Sequence, residues 1–173
     1  MRLFIAINLN GETKDRLLAL RDEIYSKSSE GNFCMPDNLH LTLVFLGECD
    51  VKQTACVKSI LDATDFKPFD LVVERVGRFK RNGGDIWWAG VRENKILTDL
   101  QRNLTEGLCA RGFTLDKRAY SPHITLGREV LTEAGPRQIE PFGEGVNKID
   151  LMKSERIAGK LTYTPVHFRY AVK

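Results

Sequence analysis

The sequence predicts an α+β fold with largely antiparallel sheets, and three observations carry that expectation. β-prone runs recur along the chain, three longer stretches space their apolar residues at helical intervals, and the two kinds do not alternate in the regular rhythm of βαβ units. The chain of 173 residues, 42% hydrophobic and 28% charged, fits one soluble domain spanning residues 1–173. Disorder, a fibrous repeat and a membrane span are excluded by this balance. A net charge of only +3 is far from the signature of a general nucleic-acid binder, so any anion site must be local.

Taken in order, Leu3 to Leu9 reads as a first strand, too interrupted by Asn8 and Asn10 for a signal peptide, and ends at the turn Asn10-Gly11. Lys14 to Tyr25 then places Leu17, Leu18, Leu20 and Ile24 on a helix. After the turn-rich Asn32 to Asp37 comes a strand from Leu39 to Leu46 and a helix from Val51 to Leu61. Phe69 to Val76 and Ile86 to Val91 form a hairpin, and Ile96 to Cys109 a third helix closed by Gly112. A strand covers Ser121 to Leu126. Leu131 to Gly145, rich in Gly and Pro and without a period, is expected to be a long loop. Lys148 to Arg156 and Lys160 to Tyr170 are the last two strands. The six basic residues from position 148 onward, against Asp150 and Glu155, suit either a polyanion guide or a solvated hairpin.

The chemistry lies in a repeat. His40-Leu41-Thr42-Leu43 and His123-Ile124-Thr125-Leu126 share one pattern, 83 positions apart, in a chain with only three histidines, and imply an internal duplication. On a strand, His40 and Thr42 share one face, as do His123 and Thr125, while the intervening hydrophobes enter the core. Two imidazoles facing one groove make an acid-base pair, because histidine titrates near 6.5, and the threonine hydroxyls suit the non-bridging oxygens of a phosphate. No carboxylate or cysteine stands at the spacing a metal would need, so neither metal nor other cofactor is expected.

Phe4-Ile5-Ala6-Ile7, the run His40 to Gly47 and Tyr120-Ser121-Pro122-His123-Ile124-Thr125-Leu126-Gly127-Arg128 resemble the two-histidine phosphoesterases, in the branch of the RNA 2′,3′-cyclic phosphodiesterases, also called the 2′-5′ RNA ligase family. The resemblance covers essentially the whole chain. It implies a bilobal, duplicated fold with both motifs facing a central cleft, and metal-independent hydrolysis of an RNA terminal 2′,3′-cyclic phosphate to a 2′-phosphate. It further implies His40 as proton donor, His123 as proton acceptor, and Thr42, Thr125 and Arg128 as phosphate-binding residues. The RNA end is the expected partner, the protein a cytoplasmic monomer without a membrane association. The same chemistry run backwards, as an ATP-independent 2′-5′ RNA ligase, and a non-catalytic RNA-end binder are the alternatives.

Other residues carry weaker expectations. Phe45 shares parity with Leu41 and Leu43 and is expected in the core, outside the site. Trp87 and Trp88 must point to opposite faces, one inward and one able to line the cleft. Arg118 is expected to contribute only general charge, His167 to be structural, and Cys34, Cys49, Cys56 and Cys109 to be non-catalytic.

Overall fold

The computed structural model describes all residues, 1–173, and its elements follow the sequence closely. In chain order they are β1 (Arg2–Asn8), α1 (Gly11–Ser26), β2 (Ser28–Phe33), a 3-10 turn (Pro36–Asn38), β3 (His40–Glu48), α2 (Val51–Asp62), β4 (Phe69–Phe79), β5 (Asp85–Val91), α3 (Lys95–Ala110), β6 (His123–Thr132), β7 (Arg137–Val146), β8 (Lys148–Ile157) and β9 (Lys160–Tyr170). Each helix starts on a side chain that accepts an otherwise orphaned backbone N–H. Asn10 takes that of Thr13, Asp50 that of Gln53 in a reciprocal capping box, and Asn94 that of Leu97. After α3, Gly112 adopts φ +91°, which a residue with a Cβ rarely does.

The strands form two antiparallel sheets, one ordered β3-β1-β8-β9 and the other β2-β6-β5-β4-β7. The order β3-β1-β8-β9 corresponds to β6-β5-β4-β7, with β2 added beside β6, which is the duplication read from the repeat. A helix joins β1 to β3 in the first half and β5 to β6 in the second. These helices cross over: α1 packs on β2, β6 and β7, and α3 packs on β3 and α2. One core of 31 buried residues runs through both lobes, with Leu97, Leu100, Leu104 and Leu108 of α3 all within it. At roughly 1.5–3 kcal/mol per buried aliphatic side chain, that stripe alone makes α3 inseparable from the sheet beneath it. The opposite face of each sheet carries one motif, and β3 and β6 meet where the two sheets adjoin, so that His40 and His123 lie near enough for the charge of one to act on the other across a shared cleft.

Two expectations fail. The segment expected as a loop contains β7, and the turn-rich region is preceded by β2. Both are edge strands that are polar and largely exposed, so neither has the hydrophobic alternation that marks a strand, and Pro141 is tolerated because an edge strand need not donate on its outer side.

Candidate active site

His40 opens β3 directly after the 3-10 turn, and His123 opens β6 directly after Pro122. Both rings are held in the same way. His40 Nδ1 lies 2.7 Å from the carbonyl oxygen of Asn38, and His123 Nδ1 lies 2.6 Å from that of Ser121. A carbonyl only accepts, so each Nδ1 carries the hydrogen and each Nε2 is left as the working nitrogen. Two aromatic rings flank each imidazole: Phe4 and Tyr163, at 4.9 and 5.2 Å, beside His40, and Phe79 and Trp88, at 5.1 and 6.2 Å, beside His123. Trp88 reaches this position because its indole lies flat on Gly77, where a Cβ would come within 2.4 Å of the ring. Trp87, on the other face, is fully buried. The Tyr120 hydroxyl donates to the carbonyl of Thr42 at 2.9 Å and ties the second motif to the first.

Strand pairing explains how the rest of each motif turns toward the cleft. Along β1 and β3, Ala6 faces Thr42 but Ile5 faces Val44, which leaves Leu43 as an extra residue; along β5 and β6, Trp88 faces Thr125 but Trp87 faces Gly127, which leaves Leu126 extra. The same β-bulge thus follows the threonine in both halves. A bulge reverses the side-chain alternation beyond it. Arg128, which strict alternation would put on the far side of the sheet from His123 and Thr125, therefore returns to their face.

The equivalent position in the first lobe is Phe45, which corrects the expectation that Phe45 lies in the core. Its ring is 51% exposed and carries the Arg2 guanidinium 5.1 Å from its centre. Gly47-Glu48, which parallels Gly127-Arg128 in sequence, lies further along the strand.

Burial lowers the pKa of His40 and of His123, and the positive charge of Arg128 lowers both further; the backbone carbonyls on Nδ1 pull in the other direction without cancelling it. Without a bound anion both rings are therefore neutral at pH 7. The Nε2 of His40 lies 2.9 Å from Thr42 Oγ1, while the ring of His123 has no bond from Thr125.

Arg128 carries no salt bridge, whereas Arg118 is clasped by Asp116 at 2.6 Å on the exposed surface. His167 is fixed to Asp62 at 2.7 Å, a structural role as expected. Burial pushes the Cys34 thiol up to about 11, so it stays protonated and is no nucleophile. No three His, Cys, Asp or Glu side chains cluster as metal ligands would, and no helix is long and apolar enough to cross a membrane. Trp88 is the one of the paired tryptophans that the sequence allowed to line the cleft, whereas Phe4, Phe79, Tyr163, the Tyr120 tie and the cleft-facing Phe45 were not expected as parts of the site.

The comparisons with known proteins point the same way. Residues 7–88 match the model of the "LigT like Phosphoesterase" family. The chain is 34% identical over 151 residues to an RNA 2′,3′-cyclic phosphodiesterase of Archaeoglobus fulgidus, covering 83% of this chain and 85% of that protein. The chain belongs to the LigT-like phosphoesterase family. Within that family it is also 29% identical to the RNA 2′,3′-cyclic phosphodiesterase of Escherichia coli over 95% of this chain and 93% of the relative. The crystal structure of E. coli LigT complexed with 3′-AMP superposes with a TM-score of 0.88 at 25% identity, covering 99% of this chain and 98% of that one.

Proposed function

We propose that the protein hydrolyses the 2′,3′-cyclic phosphate at an RNA end to a 2′-phosphate, with His123 as general base and His40 as general acid. The observation that carries this reading is the doubled anchor: two imidazoles, each fixed through Nδ1 to a backbone carbonyl, each offering Nε2 to one cleft, with the unpaired Arg128 acting on both. Nε2 of His123 takes a proton from water as the water oxygen bonds to phosphorus. The bond from phosphorus to the 3′-oxygen breaks on the opposite side, and Nε2–H of His40 supplies the proton that oxygen needs. The base ends protonated and the acid neutral, and exchange with solvent restores both.

His40 must hold a proton when the substrate is bound. The phosphodiester anion supplies the missing stabilisation of the imidazolium, offsetting the burial and the Arg128 field that keep the free ring neutral. Arg128 and the hydroxyls of Thr42 and Thr125 take the non-bridging oxygens, where charge grows in the transition state. Two imidazoles suffice for both proton transfers, so the reaction needs no metal or other cofactor. The 173 residues act as one domain of two lobes, as a cytoplasmic monomer on RNA ends.

The test is phosphorus NMR of the product from an oligonucleotide bearing a 2′,3′-cyclic phosphate. A 2′-phosphate is expected; a 3′-phosphate as sole product would overturn the assignment of His40 to the 3′-oxygen. Ligation of a 5′-hydroxyl strand runs the same steps in reverse, and the same product analysis detects it as a 2′-5′ linkage.

A further inference from the structure

On the cleft face of the first sheet, away from the histidines, stand two aromatic side chains that the proposed reaction does not use. Phe168 is 52% and Tyr170 57% exposed, their rings meet edge to face at 5.3 Å, and the Lys148 ammonium lies 5.7 Å from the centre of the Phe168 ring. They sit on β9, an edge strand, where exposed rings invite association unless a partner covers them.

Strand register fixes where they are. Thr42 faces Ala6, Ala6 faces Asp150, and Asp150 faces Phe168. Residues directly opposed across antiparallel strands share a face, so Phe168 lies on the face of Thr42, three strands away and about 14 Å distant at the ~4.8 Å strand spacing. Tyr170 faces Lys148 on the same side.

The ground between is floored by buried groups: Ala6 is fully buried, and Asp150, 2% exposed, lies under Asn8, whose Nδ2 donates to it at 2.9 Å, and beside the Lys148 ammonium at 3.5 Å. On the back of β9, His167 is bonded to Asp62 and Arg169 to Asp65, which braces the strand from behind.

We propose that Phe168 and Tyr170, with Lys148, form a second subsite that stacks the unpaired bases of the RNA strand leading to the cyclic phosphate, whatever their sequence. The inference rests on the RNA-end reading above and adds a substrate class: single-stranded ends several nucleotides long, in preference to mononucleotides or blunt duplex ends. A stacked strand rises ~3.4 Å per nucleotide, so a base within about four positions of the end reaches the rings. Every base offers a π face, which makes aromatic stacking tolerant of sequence, and the Lys148 side chain, 40% exposed and meeting Asp150 on one side only, keeps N–H donors for a phosphate.

The experiment compares cytidine 2′,3′-cyclic phosphate with an eight-nucleotide RNA ending in the same group, for the unmodified protein and for the double variant Phe168→Ala/Tyr170→Ala, whose sites are exposed and outside the core. The double variant should raise KM for the oligonucleotide about ten- to a hundred-fold, leave its kcat intact, and leave kcat/KM for the mononucleotide within about two-fold. An oligonucleotide KM unchanged by the double variant would overturn the proposal while leaving the catalytic reading untouched.

Fluorescence anisotropy with a labelled RNA carrying a terminal 2′-phosphate reads the same subsite without turnover. It should show the same loss of affinity even if the protein proved inactive on cyclic phosphates. Sedimentation across a concentration series covers the other occupant: self-association that the double variant abolishes, with RNA affinity unaffected, would assign the patch to a second copy of the chain and reject the RNA subsite.

Discussion

In the first lobe the motif histidine is engaged at both nitrogens, Nδ1 by the carbonyl of Asn38 and Nε2 by Thr42; in the second, His123 is held only through Nδ1 and its Nε2 stands free. The bulge that follows the threonine is common to both, but it delivers a ring, Phe45, on one side and a cation, Arg128, on the other. A duplicated scaffold therefore presents two unequal half-sites. The engaged imidazole suits the group that must hold a proton until the leaving oxygen needs it, and the free one suits the group that must accept from water. The lesson is that equal backbone geometry supplies position, while the side chains at only two or three places divide the labour.

The largest break of this comparison is removal of either imidazole. His40→Ala and His123→Ala should each lower kcat by about two to four orders of magnitude, measured on a cyclic-phosphate oligonucleotide, because each removes one positioned proton transfer. Retention of near-full turnover by either folded variant would show that one histidine suffices.

Next comes the residue beyond the bulge. Arg128→Ala should cost about ten- to a hundred-fold in kcat/KM, the scale of a lost charge-assisted hydrogen bond. Because Arg128 depresses both histidines, the same variant should move both limbs of the pH profile toward alkaline values. An unmoved profile would take Arg128 out of the cleft.

The unmodified enzyme has its own signature. With His40 as the acid and His123 as the base, the alkaline limb of kcat/KM should mark loss of the proton from His40 and the acid limb protonation of His123. Both pKa values lie below the usual 6.5, so the maximum should fall on the acid side of 6.5. A bound phosphodiester anion should raise the pKa of His40, so the alkaline limb of kcat should lie above that of kcat/KM.

The smallest effects sharpen the contrast between the threonines. Thr42→Val should shift the alkaline limb, since its hydroxyl touches Nε2 of His40, and lower the rate about five-fold, whereas Thr125→Val should lower the rate without moving the acid limb. Stability follows the same groups. In the folded state both rings bind fewer protons than in the unfolded chain between their depressed pKa values and 6.5, so stability is complete above that window and falls as pH drops through it. Denaturant titrations at a series of pH values should show a shallower slope for His123→Ala than for the unmodified protein.

What the sequence made legible is what repeats or alternates. Leu97, Leu100, Leu104 and Leu108 announced α3, and His-x-Thr written twice announced the pair of anchored imidazoles and the duplication. A bulge leaves no such trace, because an inserted residue such as Leu43 or Leu126 is apolar and buried like its neighbours. That is why parity misplaced Phe45 and why only the register explains how Arg128 reaches the histidines. The wall of His40 was equally hidden, since Tyr163 reaches it from β9, far along the chain. β2 and β7 escaped notice because an exposed edge strand has no buried face to impose a pattern.

The exchanged helices give the cleft a mechanical character. α1 leaves β1 to cover the second sheet and α3 leaves β5 to cover the first, while α2 packs on α3 and on β9 of the first sheet. Two of the three helices thus roof the lobe opposite the strand they follow. Prying the lobes apart would strip Leu17 from one sheet or the α3 leucines from the other, so no hinge opens between the two imidazoles without melting a core. The distance between the two imidazoles is thus set by the same packing that keeps the protein folded, in the manner of a caliper locked at one gauge.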